Sequence, residues 1–190
     1  MTFKEYLSCI KCDIYRITGN KRNKALVQHI IAGESFKYIF WMRTCNFLYK
    51  SYLFRYSFFP LAYLILNHYK YRLGISISFR TQIGIGFYIG HFGGIVVHTD
   101  AVIGKNCNIS QGVTIGVANR GDRKGCPKIG DNVYIGPGAK IIGRISIGNF
   151  AAIGANAVVT KDVPENGVAV GIPAKIISLD GSAGYVNRTL

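Results

Sequence analysis

Four histidines, His29, His68, His91 and His98, are the residues of this sequence best suited to moving protons. An imidazole titrates near neutral pH, so it can take a proton from a weak nucleophile and hand it on. His91 stands in Gly90-His91-Phe92-Gly93-Gly94, where small neighbours leave space for a substrate to approach the ring. It is the candidate general base. His29 and His68 lie in an aromatic, basic stretch and read as packing or surface residues, and His98 reads as a solvent-facing turn residue. Cys9, Cys12, Cys45, Cys107 and Cys126 show neither a disulfide framework nor paired metal-ligand spacing. Reduced thiols, a cytoplasmic setting and no metal are therefore expected. Cys9-x-x-Cys12 reads as one turn of an amphipathic helix.

The elements that must position His91 follow from a repeat. Ile129, Ile135, Ile141, Ile147, Ile153 and Val159 recur every sixth residue, as do Val97, Ile103, Ile109 and Ile115. Glycine follows many of them. A period of six fits neither a helix nor an alternating strand. It fits a coil with three flat faces, each one short strand and one turn, with the aliphatic residue pointing inward. Three hexads make a coil of about 18 residues, and coils stack about 4.8 Å apart through parallel ladders. Twelve hexads between residues 83 and 164 predict about four coils. The period breaks twice: Ile95 to Ile103 is eight residues, and Ile115 to Ile129 is fourteen, so Ala118 to Gly125 must leave the coil. His98 falls at the first break, Cys126 just after the second.

Upstream of residue 75 the composition changes. Of the 190 residues, this part holds 12 of 23 Lys/Arg, 17 of 24 aromatics and only 3 of 23 glycines. Residues 2–16, 23–32 and 35–50 read as helices, with Gly19 and Gly33 as stops and Ser35 as a cap. Pro60 forces a break or kink in the aromatic stretch that follows. The boundaries expected are a helical region over 1–74, a β-helix over 75–176 and a C-terminal tail over 177–190, the tail frayed. The net charge of +14 raises the question of a polyanion partner. The basic residues are scattered and no recognition motif is present, so nucleic acid is not expected. Peripheral contact of the basic, aromatic region with anionic lipid is one reading. Packing of these helices on the coil or on a neighbouring subunit is the other, and the preferred one. No apolar run is long enough to span a membrane, no secretory signal is visible, and 49% hydrophobic residues exclude a disordered chain.

The runs IGIGFYIGHFGGIVV, ISQGVTIG, PKIGDNVYIGPGAKIIG, AAIGANAVVTKDVP and VGIPAK resemble the hexapeptide-repeat acyltransferases, and within them the serine O-acetyltransferase group, over residues 75–176. The resemblance implies a mainly β fold, a left-handed parallel β-helix preceded by an α-helical region. It implies a homotrimer, with a dimer of trimers as an option, acetyl-CoA as donor, and active sites in clefts between neighbouring helices. It places the catalytic histidine at His91. For the cosubstrate it points to Gly136, Ala139, Lys140 and Ala155 along the pantetheine arm, to Pro173 and Lys175 near the adenine, and to Lys161 as a further phosphate contact. Backbone N–H groups near Gly116 are expected to hold the oxyanion.

The match departs where the acceptor binds. Serine acetyltransferases carry an aspartate immediately before the histidine, here Gly90, and another fifteen residues before the histidine, here Ser76. They carry a histidine before Pro-Lys-Ile, here Cys126. Burying the ammonium group of serine without an anion is costly, so the residues favour a neutral hydroxyl, as of a sugar in cell-surface polysaccharide, with serine as the alternative. Gly90, Ser76 and Phe92 are the candidate acceptor contacts. A compensating carboxylate is expected from Asp13, Asp100 or Asp122, and Ser76 or Ser78 can orient the imidazole. The chain ends in leucine where the related enzymes' partner-binding tail ends in isoleucine, so that partnership is not expected.

Overall fold

A computed structural model describes residues 2–190. Four helices come first, α1 (Phe3–Thr18), α2 (Asn23–Ile31), α3 (Glu34–Lys50) and α4 (Phe59–Leu73). Helix α1 opens on a capping box between Thr2 and Glu5 and stops at Gly19, whose φ of 70° ends the helix without steric cost. Gly33 is the N-cap of α3 rather than a stop, and Ser35, the expected cap, is buried inside that helix without a capping bond. Pro60 does not kink a helix: it sits in the first turn of α4, where its missing N–H costs nothing. Residues 52–64 leave Tyr52, Leu53, Tyr56, Leu61 and Leu64 exposed. Among the described residues no helix is long and apolar enough to cross a membrane.

Strands β1–β15 build a three-faced spool. The first face stacks β1 (Ile75–Ile77), β4 (Ile95–Val97), β7 (Thr114–Gly116), β10 (Lys140–Ile142) and β13 (Val158–Val159). The second stacks β2 (Gln82–Ile83), β5 (Val102–Ile103), β8 (Lys128–Ile129) and β11 (Ser146–Ile147). The third stacks β3 (Tyr88–Ile89), β6 (Asn108–Ile109), β9 (Tyr134–Ile135), β12 (Ala152–Ile153) and β14 (Val168–Val170), with β15 (Lys175–Ser178) closing its edge antiparallel. All pairings but that last one are parallel, with Ile83, Ile103 and Ile129 in one register and Ile89, Ile109, Ile135 and Ile153 in another. These aliphatic side chains fill the interior, nearly all under 5% exposed. The five strands of the first face make about five turns, one more than the hexad count predicts. Both β1 and β14 lie outside the hexads of residues 83–164.

The ladder also relocates the first break in the period. Val97, not Ile95, pairs with Ile115, and Ile77 pairs with Val97. Ile95 opens β4 as an inward residue two before Val97, the place taken by Val113 in the next turn, and both are buried. The two extra residues therefore fall between Ile89 and Ile95, in the segment that carries His91. They do not fall beside His98.

The helical region is bolted to the first turn by a buried ion pair. Arg43 Nε of α3 donates to Asp13 Oδ2 of α1 at 3.0 Å, and its other nitrogens donate to the Ile83 and Gly84 carbonyls at 2.7 and 2.6 Å. Asp13 Oδ1 accepts from the Phe87 N–H at 2.9 Å. Arg16 reaches the Gly86 and Asn106 carbonyls and the Asn108 side chain. The tail does not fray. Ser182 is buried against Asn132 and Phe150, Tyr185 stacks on Tyr134 with centroids 4.6 Å apart, and Arg188 donates to the Ile17 carbonyl of α1.

Candidate active site

The corner where the third face turns into the first carries the candidate site. In successive turns it reads Gly90 to Gly94, Ser110 to Gly112, Gly136 to Gly138, and Gly154 to Asn156. Gly94, Gly112, Gly138 and Asn156 all have left-handed φ, between 56° and 72°. A Cβ added at Gly112 would sit 3.3 Å from the Gly138 backbone, so the absence of side chains at Gly94, Gly112 and Gly138 lets these turns stack closely. The result is a flat ridge of small residues running along the spool.

His91 stands at the first step of that ridge. Its corner has five residues between the flanking buried aliphatics where the next turn has three, and His91 and Phe92 are exposed there. Gly93 has φ of 106° and nothing within 4 Å of an added Cβ. Gly90 is open too, its added Cβ meeting only Tyr88 and the Ile109 carbonyl at 3.7 and 3.8 Å. Among the described residues no group hydrogen-bonds the His91 imidazole. The residue is exposed, so the imidazole is open to solvent.

The ridge gathers most of the other candidates. Gly136 is buried in the turn, Ala155 is exposed on the outer surface one turn above, and Pro173, in the cis Ile172–Pro173 turn, follows at the last step. The Lys140 ammonium is drawn into the corner by a bond to the Gly112 carbonyl. Ala139 is placed differently from expectation: its side chain is fully buried, stacked with Val113 and Ala157 inside the coil. Gly116 and Lys161 lie at the opposite end of the first face, next to the corner that leads to the second. Lys175 is exposed at the start of β15. Ser76 is on β1 beside Val96, lining a cavity of about 220 Å³ roofed by Tyr63, Leu66 and Lys70 of α4. Ser78 is committed to the Arg80 N–H at 3.1 Å.

Asp13 is removed from the acceptor candidates. It is fully buried, paired with Arg43 and bonded to Phe87, so no substrate can reach it. Cys45 and Cys107 are buried, and burial pushes both thiols up to about 12, so neither offers a thiolate for an acyl-enzyme. Two features escaped the sequence. Gln111, on the ridge one turn above His91, has a buried Oε1 without a donor, an acceptor that an amide N–H of a bound pantetheine arm would satisfy. His98, read as a turn residue, has its Nδ1 3.2 Å from Cys126 Sγ.

A family model, bacterial transferase hexapeptide (six repeats), matches residues 126–161. The serine acetyltransferase of Haemophilus influenzae is 42% identical over 125 residues, covering 65% of this chain and 46% of that protein. The chain spans about half the length of the curated relatives it matches. Among solved structures, a serine acetyltransferase in complex with CoA superposes with a TM-score of 0.74 at 32% identity, over 92% of this chain and 71% of that one. The Neisseria gonorrhoeae serine acetyltransferase in complex with serine gives 0.75 at 32% identity, over 93% and 70%. With the six-residue period, the three stacked faces and these likenesses in agreement, the chain belongs to the hexapeptide-repeat acyltransferases, whose fold is the left-handed parallel β-helix.

Proposed function

We propose that this chain is an acetyl-CoA-dependent O-acetyltransferase acting on L-serine. The observation that carries the catalytic part is the widened corner: an exposed imidazole heads a ridge of small residues able to seat an elongated thioester. His91 takes the proton of the acceptor hydroxyl, the oxygen attacks the thioester carbonyl, and the CoA thiolate leaves with the proton returned by His91. Gly136, Ala155 and Lys140 border the pantetheine arm, with the Gln111 carbonyl oxygen accepting one of its amide protons. Pro173 and Lys175 lie toward the adenine. No metal takes part in this transfer.

Gly116 and Lys161 lie at the other end of the first face from His91. For Gly116 to hold the oxyanion and Lys161 a phosphate, a second copy must bring its own opposite corner to the ridge. This favours a homotrimer with sites between subunits, which sedimentation of the purified chain tests. The exposed strip of residues 52–64 is where contact with a further subunit, or with an anionic lipid surface, would fall.

Serine is placed first because the relatives named above are serine acetyltransferases, one of them solved with serine bound. The saccharide reading rests on one specific observation, the missing carboxylate at Gly90. Thiol release from acetyl-CoA, followed with L-serine and with free sugars, separates the two. Turnover on L-serine that disappears in His91→Ala supports the proposal. Turnover confined to sugars transfers the acceptor to the second reading, and none on any hydroxyl, with no CoA binding by calorimetry, removes the enzymatic one.

A further inference from the structure

At the corner between the first and second faces, two successive turns of the spool bring together three side chains that have no part in the proton transfer proposed above. His98 and Asp100 come from the turn after β4. Cys126 comes from the turn after β7, at the end of the eight-residue excursion. Nδ1 of His98 is 3.2 Å from Cys126 Sγ and 3.9 Å from Asp100 Oδ2, and all three ligand atoms lie within 4.8 Å of one another. His91 is at the other end of β4, so within one protomer this cluster lies apart from the ridge.

We propose that His98, Asp100 and Cys126 form a binding site for a borderline-soft divalent cation of the zinc class. One imidazole, one thiolate and one carboxylate are the donors such an ion prefers. Metal–ligand bonds of about 2.0–2.3 Å at tetrahedral angles put ligand atoms roughly 3.3–3.6 Å apart. The two observed separations bracket that range, and Asp100, whose side chain is 79% exposed, is free to make the small movement required. The backbone on both sides is already fixed. His98 N–H donates to the Ile115 carbonyl at 2.8 Å, Val102 N–H to the Pro127 carbonyl at 3.2 Å, and Ala118 and Gly125 exchange bonds of 3.0 and 2.9 Å that close the excursion. On binding, the Cys126 thiol gives its proton to solvent as the sulfur–metal bond forms. Nδ1 of His98 gives up its 3.2 Å bond from the Asp100 N–H. Thiolate and carboxylate then neutralise the ion, and with three protein ligands the fourth position stays open to water or an exogenous ligand. The ion would tie the exit of the excursion to the turn below it.

The test uses the full chain, stripped of metal by a chelator and titrated with cobalt(II), then zinc(II). One cobalt per chain is expected, with a thiolate-to-cobalt charge-transfer band that zinc displaces. Cys126→Ser abolishes the band, and His98→Ala weakens cobalt binding at least about tenfold. Zinc raises the melting temperature of the parent chain and not that of Cys126→Ser. Asp100→Asn, a surface change that leaves folding intact, weakens binding in the same direction and keeps the test decisive if Cys126→Ser folds poorly. Absence of the band, or a band undiminished in either Cys126→Ser or His98→Ala, overturns the site.

Discussion

Replacing Asp13 with Asn tests whether the helical region and the first turn of the spool are one structure. Asp13 is fully buried, and its partner Arg43 is 11% exposed. Burial pushes the Asp13 carboxyl up, while Arg43 and the Phe87 N–H oppose that shift. Asn keeps the shape and the acceptor for Phe87. It removes the charge and turns an amide N–H toward the Arg43 guanidinium, leaving a buried cation without a counter-ion. Such a change costs about 3–5 kcal/mol. For a chain of this size each kcal/mol lowers the melting temperature by roughly 2–4 °C, so the fall should be about 6–20 °C. Thermal unfolding measures the fall, and urea denaturation measures the free-energy loss, each followed by far-ultraviolet dichroism and by Trp41 fluorescence, because Trp41 reports on α3 while dichroism reports on the whole. Both probes should move together. A double variant, Asp13→Leu with Arg43→Met, should recover at least half of the loss, because no charge is then stranded. A loss under about 1 kcal/mol in Asp13→Asn, or a Trp41 transition separating from the spool's, would refute the bolt. The helices would then be an appendage rather than part of the fold that carries His91.

Other consequences are open to direct measurement. His91→Ala should lower kcat by about 10²- to 10⁴-fold with the KM for acetyl-CoA within about threefold, and should leave the melting temperature unchanged because the residue is exposed. Gly90→Asp fits the open space at that position and supplies the anion that serine's ammonium lacks. The KM for L-serine should fall about tenfold, about 1.4 kcal/mol, and an unchanged value would mean that the amine binds elsewhere. Cys45 and Cys107, with thiols at about 12, should resist iodoacetamide at pH 8, where only about 10⁻⁴ of each is thiolate, while the partly exposed Cys126 is alkylated first. Peptide mass spectrometry after native labelling reads this out, and modification of Cys107 before unfolding would contradict its placement.

The hexads were legible because each inward Ile or Val is fixed by a local rule, one aliphatic per face, that needs no knowledge of distant residues. The same rule misread Ile95. Two inward residues at the two ends of one short strand look alike in a string, and only the pairing of Val97 with Ile115 tells which of them carries the period. The helices were legible from spacing and from Gly19. The role of Pro60 was not, because a proline can break a helix or begin one, and the choice depends on where α4 packs. The ordered tail escapes sequence reading for a related reason: Ser182, Tyr185 and Arg188 have no local pattern, and their partners lie more than 30 residues upstream. In the candidate site, His91 was visible from its glycine-rich setting. The contact between His98 and Cys126 spans two turns and the excursion between them, and no spacing rule predicts it.

Both breaks in the period fall at corners, and the ladder explains why. A residue inserted within a face would move every later side chain on that strand to the wrong side and misalign parallel bonds with the turns above and below. A residue inserted at a corner costs only a longer turn, and the next strand resumes its register, as Val97 and Ile129 do. Corners are therefore the positions at which this spool can acquire chemistry without unravelling. The two-residue widening lifts His91 clear of the coil, and the eight-residue excursion delivers Cys126 to His98. Faces supply the rigidity against which both are held, and their strands, fixed by neighbours above and below, offer no comparable freedom.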